Sequence, residues 1–571
     1  QERFLADYDA PVARTPINLG EITRQPVLIE DTYGVQKGTD LAGKTFLSVG
    51  STVGTVLDLE LNTAFQIIAQ ILYNSDASPL KKAIVEAGLG KDFGGLFLAN
   101  SSFTTIMMTY LIGSDPSCLD RFREVYRRTL SQMVVDGLDR DLVLSELNKF
   151  EFSVREDMTK AQRGLDLISK ALPALMHGVD PFAALCNDDL FQAIRAKALG
   201  ERYFEQLINK QLLDNPSTVE IILRPDQDKN AQLNHEEQQR LADYENSLSK
   251  EEREQMVHRT RELVELQNRP VDAETLNLLP RLRTRDLSPR PAYHQAQVGE
   301  LAGRQLLVNE LPTNGIIYMD FGLDCAMLPT RLLPWLDLFG TIVTEIGTDT
   351  KDYMQFAREL GMYTGGFSNS FNTYTRLGDT GEGCRPMAWF HLKALSPFLD
   401  RSLSLAAEAF SRVSFANRQR IREIVLREFA WAEHSVQSEG YSLAASRVFA
   451  HLSIAGRYNE YVSGATSYLR LKELAQNYDR LEEEFLRALE ELRALLFRRE
   501  ALLLSITGGA ADINSFQQRA GAVLDSLAPG AVSAVTPEFS GFAPHQGLCT
   551  SAEVVYNVQG CQLFTGHSQY N

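Results

Sequence analysis

Residues Lys44-Thr-Phe-Leu-Ser-Val-Gly50 are the most informative about the fold, because their alternating side chains are followed closely by a helical pattern. Alternation with a period of two predicts a β-strand with one buried face. Asp58 then predicts the start of a helix whose apolar positions include Phe65 and Leu72. A strand that leads into an apolar helix predicts an α+β domain in which helices pack on a sheet.

Further elements follow this strand and helix in a defined order. Ser78-Pro79 predicts a short helix that ends near Gly88, and the alternation in residues 103–110 predicts another strand. The first copy of the pattern closes with predicted helices over 118–135, 140–158 and 200–213 and a predicted strand over 217–223.

A second copy of this order begins at Gly315-Ile-Ile-Tyr-Met-Asp-Phe321. Its predicted elements are a helix over 332–345, a short helix over 354–361, an aromatic-rich strand after Gly365-Gly366, a long helix pair from Ser396-Pro397 to Gly440, a helix over 468–497 and a strand over 501–506. Three markers repeat at offsets of 273, 281 and 282 residues (361 − 88, 396 − 115 and 503 − 221). The similar offsets predict two homologous α+β domains in tandem.

Two segments lie outside these copies. Residues 225–289 are dense in charged and amide side chains with apolar residues at helical spacing, which predicts an antiparallel helical hairpin with its tip near 247–250. A solvated linker face is the alternative interpretation of this segment. Residues 552–558 alternate like the first strand of either copy, which predicts the beginning of a third copy.

Length and composition limit the classes of protein that the chain can form. Its 571 residues exceed the size of a single hydrophobic core, and polar residues interrupt the apolar runs well short of a bilayer span. The net charge of −17 argues against nucleic acid as a partner and mildly favours basic ligands. Six cysteines without a C-x-x-C pair predict reduced thiols in a cytosol-like compartment. The chain opens on Gln1 without a signal-like pattern, so we expect the native start upstream.

Motifs that carry chemistry are sparse. None of the nine histidines has another histidine three to five residues away, which argues against a helical zinc pair. The nearest approach to the inverted zinc motif H-x-x-E-H is Ala430-Trp-Ala-Glu-His434, where alanine holds the first ligand position, and we interpret it as chance. Gly50-Ser-Thr-Val-Gly-Thr55 lacks the Lys-Ser/Thr of a P-loop and predicts a strand turn. We therefore predict no catalytic, cofactor-binding or metal-ligating residue in this chain.

Paired glycines recur at the same place in both copies, at Gly94-Gly95 and Gly365-Gly366. Such pairs can admit a closely lying peptide backbone, although a tight turn or a sheet bulge is the favoured interpretation.

Several longer segments carry a family resemblance: Ala77-Ser-Pro-Leu-Lys-Lys-Ala-Ile-Val-Glu-Ala-Gly-Leu-Gly90, Asn215-Pro-Ser-Thr-Val219 with Leu223-Arg-Pro-Asp226, Leu311-Pro-Thr-Asn-Gly-Ile-Ile-Tyr318, Glu359-Leu-Gly-Met-Tyr-Thr-Gly-Gly366, Ile454-Ala-Gly456 with Ser463-Gly464, and the charged run 248–270. Together they resemble the presequence-protease branch of the pitrilysin and insulin-degrading-enzyme superfamily of zinc peptidases. The resemblance covers nearly the whole chain and implies tandem pitrilysin-type domains, with the LuxS/metallohydrolase-like fold, joined by a helical hairpin linker.

The resemblance also implies a domain arrangement in which this chain is the central part of a larger protein. Residues 1–224 would be the second domain, 225–290 the linker, 291–530 the third domain and 531–571 the start of a truncated fourth domain. The family's zinc ligands and catalytic glutamate belong to the first domain, which we expect upstream of Gln1. Its substrate-holding arginine and tyrosine belong to the fourth domain, and Arg358 and Tyr363 are similar in type but match the third.

By the same resemblance, the parent protein is a zinc metalloendopeptidase that degrades short, unfolded, targeting-peptide-like substrates in a closed chamber. This chain would supply chamber wall and linker, would need the first and fourth domains as partners, and would itself hold no zinc and be inactive. A non-catalytic scaffold or peptide-binding subunit of the same superfamily is the alternative. We expect a cytoplasmic location, with the mitochondrial matrix or plastid stroma as alternatives, and neither nucleic acid nor membrane as a partner.

Overall fold

The computed structural model describes residues 22–35, 37–38, 40–74, 78–99, 102–157, 160–185, 188–288, 296–375, 383–531, 533–549 and 555–561. By its internal contacts the chain divides into two compact units. The first unit comprises Gln1–Gly137, Pro173–Val179 and Arg202–His294, and the second comprises Leu138–Leu172, Asp180–Glu201 and Gln295–Asn571. Each unit is built around one β-sheet.

The first unit contains a five-stranded sheet in the order β1-β5-β2-β4-β3. Its strands are β1 (Val27–Gly34), β2 (Thr45–Thr55), β3 (Asp92–Leu98), β4 (Thr104–Ser114) and β5 (Thr218–Asp226). β1 runs parallel to β5, whereas the other neighbours are antiparallel. The stretch that alternates in the sequence lies in β2, at the centre of the sheet, with every second side chain buried.

The second unit contains a six-stranded sheet in the order β6-β7-β11-β8-β10-β9. Its strands are β6 (Gln297–Leu301), β7 (Arg304–Glu310), β8 (Ile316–Asp324), β9 (Gly366–Tyr374), β10 (Arg385–Leu395) and β11 (Leu502–Gly508). β7 runs parallel to β11 and the other neighbours are antiparallel.

The two sheets share one topology. If β6 is set aside as an additional edge strand, β7, β11, β8, β10 and β9 take the places of β1, β5, β2, β4 and β3, with the same parallel and antiparallel pairs. The equivalent strands begin 271 residues (316 − 45) to 284 residues (502 − 218) apart. The prediction of two repeated α+β modules is therefore confirmed, at the spacing that the sequence repeat indicates.

The helices follow the same division. In the first unit they are α1 (Leu59–Ala69, continued by a π-helical turn Gln70–Asn74), α2 (Pro79–Glu86), α3 (Leu119–Asp136), α7 (Tyr203–Ile208, continued by a π-helical turn Asn209–Leu213), α8 (Lys229–Ser247), α9 (Lys250–Asn268) and α10 (Ala273–Leu278). In the second unit they are α4 (Arg140–Asp157), α6 (Asp188–Gly200), α11 (Leu336–Glu345), α12 (Tyr353–Tyr363), α13 (Leu399–Arg412), α14 (Arg418–Ser438), α15 (Gly440–Leu452), α16 (Ile454–Ser463), α17 (Ala465–Gln476), α18 (Tyr478–Leu496), α19 (Ala510–Arg519) and α20 (Gly521–Ser526). α5 (Arg163–Met176) contributes residues to both units.

Local chemistry explains where several of these helices begin. The Ser78 hydroxyl accepts a hydrogen bond from the Lys81 N–H at 3.2 Å, and Pro79 occupies the first turn of α2, where its missing N–H costs nothing. Asp352 and Gln355 form a capping box at the start of α12, its counterpart in the second unit.

The core of the second unit lies between one face of its sheet and the helices. The rings of Phe390, Phe410 and Phe497 meet there with centroids 5.2 to 5.8 Å apart, within the range of favourable aromatic pairs. The helices bury this face of the sheet. Successive strand residues point to opposite faces, so the other side chains of each strand lie on the face away from these helices.

The predicted linker forms two helices with the tip at the predicted place. α8 ends at Ser247 and α9 begins after Ser249, which forms a capping box with Glu252, and Arg253 lies 3.3 Å from Glu245 across the turn. The apolar positions that suggested helix-on-helix packing are not buried, because Leu233, Leu241, Met256, Leu263 and Leu266 are 39 to 66% exposed. The solvated-face interpretation therefore describes these side chains, although the helices themselves form as predicted.

Other boundaries differ from the predictions. The helix predicted over 468–497 is divided at Asn477 into α17 and α18, and the helix predicted over 200–213 begins only at Tyr203 and ends in a π-helical turn. The predicted strand turn at residues 50–55 lies inside β2, where one register shift against β4, between Thr52 and Gly54, accommodates the irregularity.

The strand predicted over 552–558 is wrong for its described part. Residues 555–561 form no strand, and the Tyr556 ring instead packs edge-on against Tyr441 of α15 with centroids 5.7 Å apart. Alternation alone does not make a strand, because the backbone needs a neighbouring strand to receive its hydrogen bonds. Residues 552–554 lie outside the described residues.

The predicted domain boundaries at 224, 290 and 530 follow the order of the repeat, whereas the compact units follow packing. α4 and α6 precede residue 224 in the chain but belong to the second unit by contact. Asn148 of α4, for example, donates a hydrogen bond to the carbonyl oxygen of Met362 at 2.6 Å. Homology and packing therefore divide this chain differently, and the assignment of homologous domains stays a prediction.

Candidate functional site on the open face of the second sheet

Polar side chains cross the centre of the sheet face that lies opposite the helical core. Ser505, Asp320, His391 and Ser368 occupy directly paired positions on β11, β8, β10 and β9. Directly paired residues place their side chains on the same face, so these four form one row. Ser370, two residues along β9, lies on the same face beside the row. We call these five residues the polar row.

His391 connects the strands on either side of it. Its Nδ1 lies 2.8 Å from Oδ1 of Asp320, and its Nε2 lies 2.8 Å from Oγ of Ser370. The side chains of His391 and Asp320 are 36% and 28% exposed, so the bonds lie at the surface of the sheet and are open to solvent.

The directions of these hydrogen bonds follow from the chemistry of the groups. An ionised carboxylate only accepts, so Nδ1 of His391 carries the proton that it donates to Asp320. In the neutral imidazole Nε2 is then an acceptor, and the Ser370 hydroxyl donates to it. The amide nitrogen of Asn372 lies 3.3 Å from Oγ of Ser370 and donates to that oxygen. The result is a continuous relay from Asn372 through Ser370 and His391 to Asp320.

Apolar side chains border the polar row along the strands. Met387, Trp389 and Leu503 form a buried cluster on one side, and Phe152, Ile316 and Leu395 form another on the other side. The Trp389 indole lies parallel to the His391 ring, with centroids 6.4 Å apart and planes 14° apart. Its Nε1 is buried and has no hydrogen-bond partner in the described part of the chain.

One ion pair adds charge near the row. Lys393, two residues from His391 on β10, lies 2.7 Å from Glu156 of α4. Both side chains are about one-third exposed, so this pair contributes little to stability and mainly fixes the orientation of the lysine.

A groove opens beside the free edge of β9. It has a volume of about 760 Å³ and is lined by Phe371, Asn372 and Thr373 of β9, by Tyr441 and Phe449 of α15, and by Asn459 of α16, among others. Asn372 both lines this groove and donates to Ser370. The groove and the relay are thus joined through one side chain.

The residues singled out in the sequence have structural roles or lie at the surface. His434, from the incomplete zinc motif, is exposed on α14. Arg358 lies 4.0 Å from Asp139, and the Tyr363 ring packs edge-on against Phe398.

The glycine pairs accommodate side chains instead of a peptide backbone or a turn. A Cβ added to Gly95 would lie 2.5 Å from the Tyr73 ring, and one added to Gly365 would lie 2.2 Å from the Phe152 ring. Only Gly366, at the start of β9, has a positive φ, of 141°. The favoured interpretation of a turn or bulge is therefore wrong for the first pair, which lies within β3.

A zinc ion does not fit the described residues. No group of three or more His, Cys, Asp or Glu side chains in the described ranges is arranged to hold a metal ion. His391 and Asp320 supply only two such groups, and their side chains hydrogen-bond each other.

Comparisons with known proteins agree with the family resemblance. The family model described as Peptidase M-16C associated matches residues 223–474. Protein HypA of Clostridium perfringens is 26% identical over 544 residues, covering 95% of this chain and 55% of that protein. Presequence protease 1, chloroplastic/mitochondrial, of Arabidopsis thaliana is 28% identical over 516 residues, covering 90% of this chain and 48% of that protein. The crystal structure of pitrilysin matches at 12% identity with a TM-score of 0.45, over 88% of this chain and 48% of that one.

These matches support the presequence-protease branch of the pitrilysin/insulinase superfamily as the family that this chain resembles. It spans about half the length of the curated relatives that it matches.

Sequence reasoning did not find the polar row. His391 has no other histidine within five residues, and its hydrogen-bond partners lie 71 and 21 residues away in the sequence. The available signal was the run of polar positions at a period of two, as in Ser368, Ser370 and Asn372. This pattern marks the open face, but the pairing register is needed to show which side chains meet.

Proposed function

We propose that this chain is part of a zinc metalloendopeptidase that degrades short, unstructured peptides inside a chamber. In this proposal the two modules supply wall and the helices α8 and α9 supply the connection, while the zinc-holding residues belong to another part of the protein. The proposal rests chiefly on the similarity to presequence proteases and HypA over most of this chain. In this proposal the zinc ligands lie outside the described residues, among which no three His, Cys, Asp or Glu side chains are grouped to hold a metal ion.

The open face of the second sheet is the part of the wall that we assign to peptide contact. Its row of hydroxyl, imidazole and carboxylate groups offers both donors and acceptors to a passing backbone. Because these groups lie on paired strands, their spacing is fixed by the sheet and does not depend on loop conformation.

The zinc assignment is tested by the coding sequence upstream of Gln1 and by metal analysis. We expect an H-x-x-E-H motif in that sequence, about one zinc per molecule in the protein that includes it, and loss of peptide cleavage with a chelator. The chain of residues 1–571 alone should bind no stoichiometric zinc and should cleave no peptide. If the upstream sequence lacks the motif and the protein that includes it contains no zinc, the assignment as a zinc peptidase is refuted. A peptide-binding subunit is then favoured.

The charge of the chain suggests which peptides are preferred. With a net charge of −17, long-range attraction should favour basic peptides such as targeting sequences. The test compares cleavage of a basic and an acidic peptide of equal length at rising salt. The preference for the basic peptide should fall as salt increases, and a ratio that does not change with salt contradicts the proposal.

The proposed compartment is one that keeps thiols reduced: a bacterial cytoplasm, a mitochondrial matrix or a plastid stroma. The five described cysteines, at positions 118, 325, 384, 549 and 561, are free, which supports this proposal. Among the described helices, none combines the length and the apolar character needed to cross a bilayer.

A further inference from the structure

We propose that Ser370, His391 and Asp320 form a second catalytic site, one that transfers acyl groups from carboxylic esters without a metal. This activity is separate from the proposed peptidase function and does not depend on it. The hydroxyl, imidazole and carboxylate are connected in the order that serine hydrolases use, with both hydrogen bonds at 2.8 Å. That arrangement is recognised by geometry and roles, and it recurs on unrelated folds.

The geometry assigns one role to each side chain. Asp320 accepts from Nδ1–H of His391 and thereby holds the imidazole in the tautomer whose Nε2 is a free base. Nε2 accepts the Ser370 proton, which makes Oγ the nucleophile. All three residues lie on paired strands, where the backbone ladder fixes their spacing.

The reaction balances with water as the only second reactant. Oγ of Ser370 bonds to the ester carbonyl carbon as its proton moves to Nε2 of His391. The carbon–oxygen bond to the alcohol then breaks, and the departing oxygen takes the proton from Nε2. Water, deprotonated by Nε2, attacks the acyl carbon, and Ser370 leaves and regains its proton. The products are the free acid and the alcohol.

Groups around Ser370 provide for the rest of the substrate. The amide nitrogen of Asn372 is a donor 3.3 Å from Oγ and can turn to the oxyanion that develops beside it. Trp389 is paired directly with Ser370, and its indole N–H has no partner among the described residues. The groove that begins at Asn372 is lined partly by Tyr441 and Phe449, which suits an apolar acyl chain.

Ser368 provides a matched control. It lies on the same strand and the same face as Ser370, directly opposite His391 in the strand register, and it is the more exposed of the two. The hydroxyl that hydrogen-bonds Nε2 of His391 is that of Ser370. A reagent that simply modifies exposed serines would therefore label Ser368 at least as well.

The experiment treats the chain with a fluorophosphonate probe and maps the modified serine by mass spectrometry. The probe forms an oxygen–phosphorus bond to an activated serine and releases fluoride. We expect modification at Ser370 but not at Ser368, and its loss in S370A. In H391A the labelling rate should fall about 100-fold or more, since a positioned base contributes that much. Added imidazole should restore part of the rate in H391A, which a purely structural role of His391 would not allow.

A second readout follows hydrolysis of p-nitrophenyl esters of increasing acyl length. We expect turnover that depends on Ser370 and His391 and that improves with acyl chains able to enter the groove. The variants must retain the circular dichroism and thermal transition of the parent chain, and N372D, whose carboxylate cannot donate to the developing oxyanion, should lower turnover. Equal labelling of Ser368 and Ser370, or labelling of Ser370 that survives H391A unchanged, overturns the proposal and leaves the relay as a structural hydrogen-bond network.

Discussion

Replacing Glu460 with glutamine should destabilise the second unit more than any exposed charge substitution. Glu460 lies on α16 and is completely buried, between the sequence segments Ile454-Ala-Gly456 and Ser463-Gly464. Its Oε1 lies 2.9 Å from Arg447 of α15 and accepts two hydrogen bonds from Thr466 of α17. Its Oε2 accepts from Ser446 at 2.9 Å. One carboxylate therefore connects three consecutive helices.

The expected magnitude follows from what the substitution leaves behind. Arg447 is only 13% exposed, so an amide at position 460 leaves its charge largely desolvated and without a counter-charge. Breaking a buried ion pair by removing one partner costs about 3 to 5 kcal/mol. Because the glutamine oxygen can still accept from Thr466, we expect a loss near the lower limit, about 3 kcal/mol.

Urea unfolding of the parent chain and the variants measures this loss as a shift of the transition assigned to the second unit. The exposed pair Arg470–Glu473 provides the control, and E473Q should cost less than about 1 kcal/mol. The double variant E460Q/R447M should be less destabilised than the sum of the single variants, by about 1 to 3 kcal/mol, because it removes both charges. If E460Q and E473Q have the same free energy of unfolding, the carboxylate does not act as we infer.

Three further predictions concern the rest of the chain. Gly95→Ala should lower the free energy of unfolding by about 1 to 3 kcal/mol, because a Cβ there would lie 2.5 Å from the buried Tyr73 ring; thermal unfolding measures the loss. Burial raises the pKa of the Cys325 thiol well above its usual range, so its contribution to stability is full below pH 9 and falls as the pH rises further; at pH 8 a thiol reagent should modify the exposed Cys549 quickly and Cys325 only after unfolding. Ser249→Ala should remove the capping box of α9 and cost the helix about 1 kcal/mol, seen as faster amide exchange in its first turn.

Each of these predictions has a control. Gly164→Ala, where the added Cβ meets open space in α5, should be neutral or slightly stabilising, and an equal loss at Gly95 and Gly164 would contradict the packing argument. Burial raises the pKa of Cys384 to about 11, so it should react at pH 8 more slowly than Cys549; rapid modification of Cys325 in the folded chain would contradict its burial. Ser247→Ala, beyond the cap, should leave exchange in α9 unchanged, since its hydroxyl donates to the Tyr244 carbonyl in α8.

The two proposed activities can be separated by experiment. The proposed peptidase needs a metal site that the described residues do not offer, so a chelator should abolish it. The proposed esterase uses Ser370 and His391, so a chelator should leave it unchanged and a fluorophosphonate should abolish it.

The two repeated modules could be predicted from the sequence alone. The alternation in residues 44–50 and the spacing of the two copies are periodic patterns. Such patterns can be read from the sequence without knowing which residues pack together. The same is true of the helix start at Ser78 and of the tip between α8 and α9, where a capping hydroxyl accepts a hydrogen bond from the N–H three residues later.

The contacts between residues that are distant in the sequence could be identified only from the folded structure. The exposed apolar positions of α8 and α9, the grouping of α4 with the second unit and the missing strand at 555–558 all depend on what packs nearby. The relay of Ser370, His391 and Asp320 depends on the register of three strands, and a shift of one residue would move a strand's side chains to the opposite face. Local pattern fixes which face a side chain occupies, whereas its partners are set by strand pairing across many tens of residues.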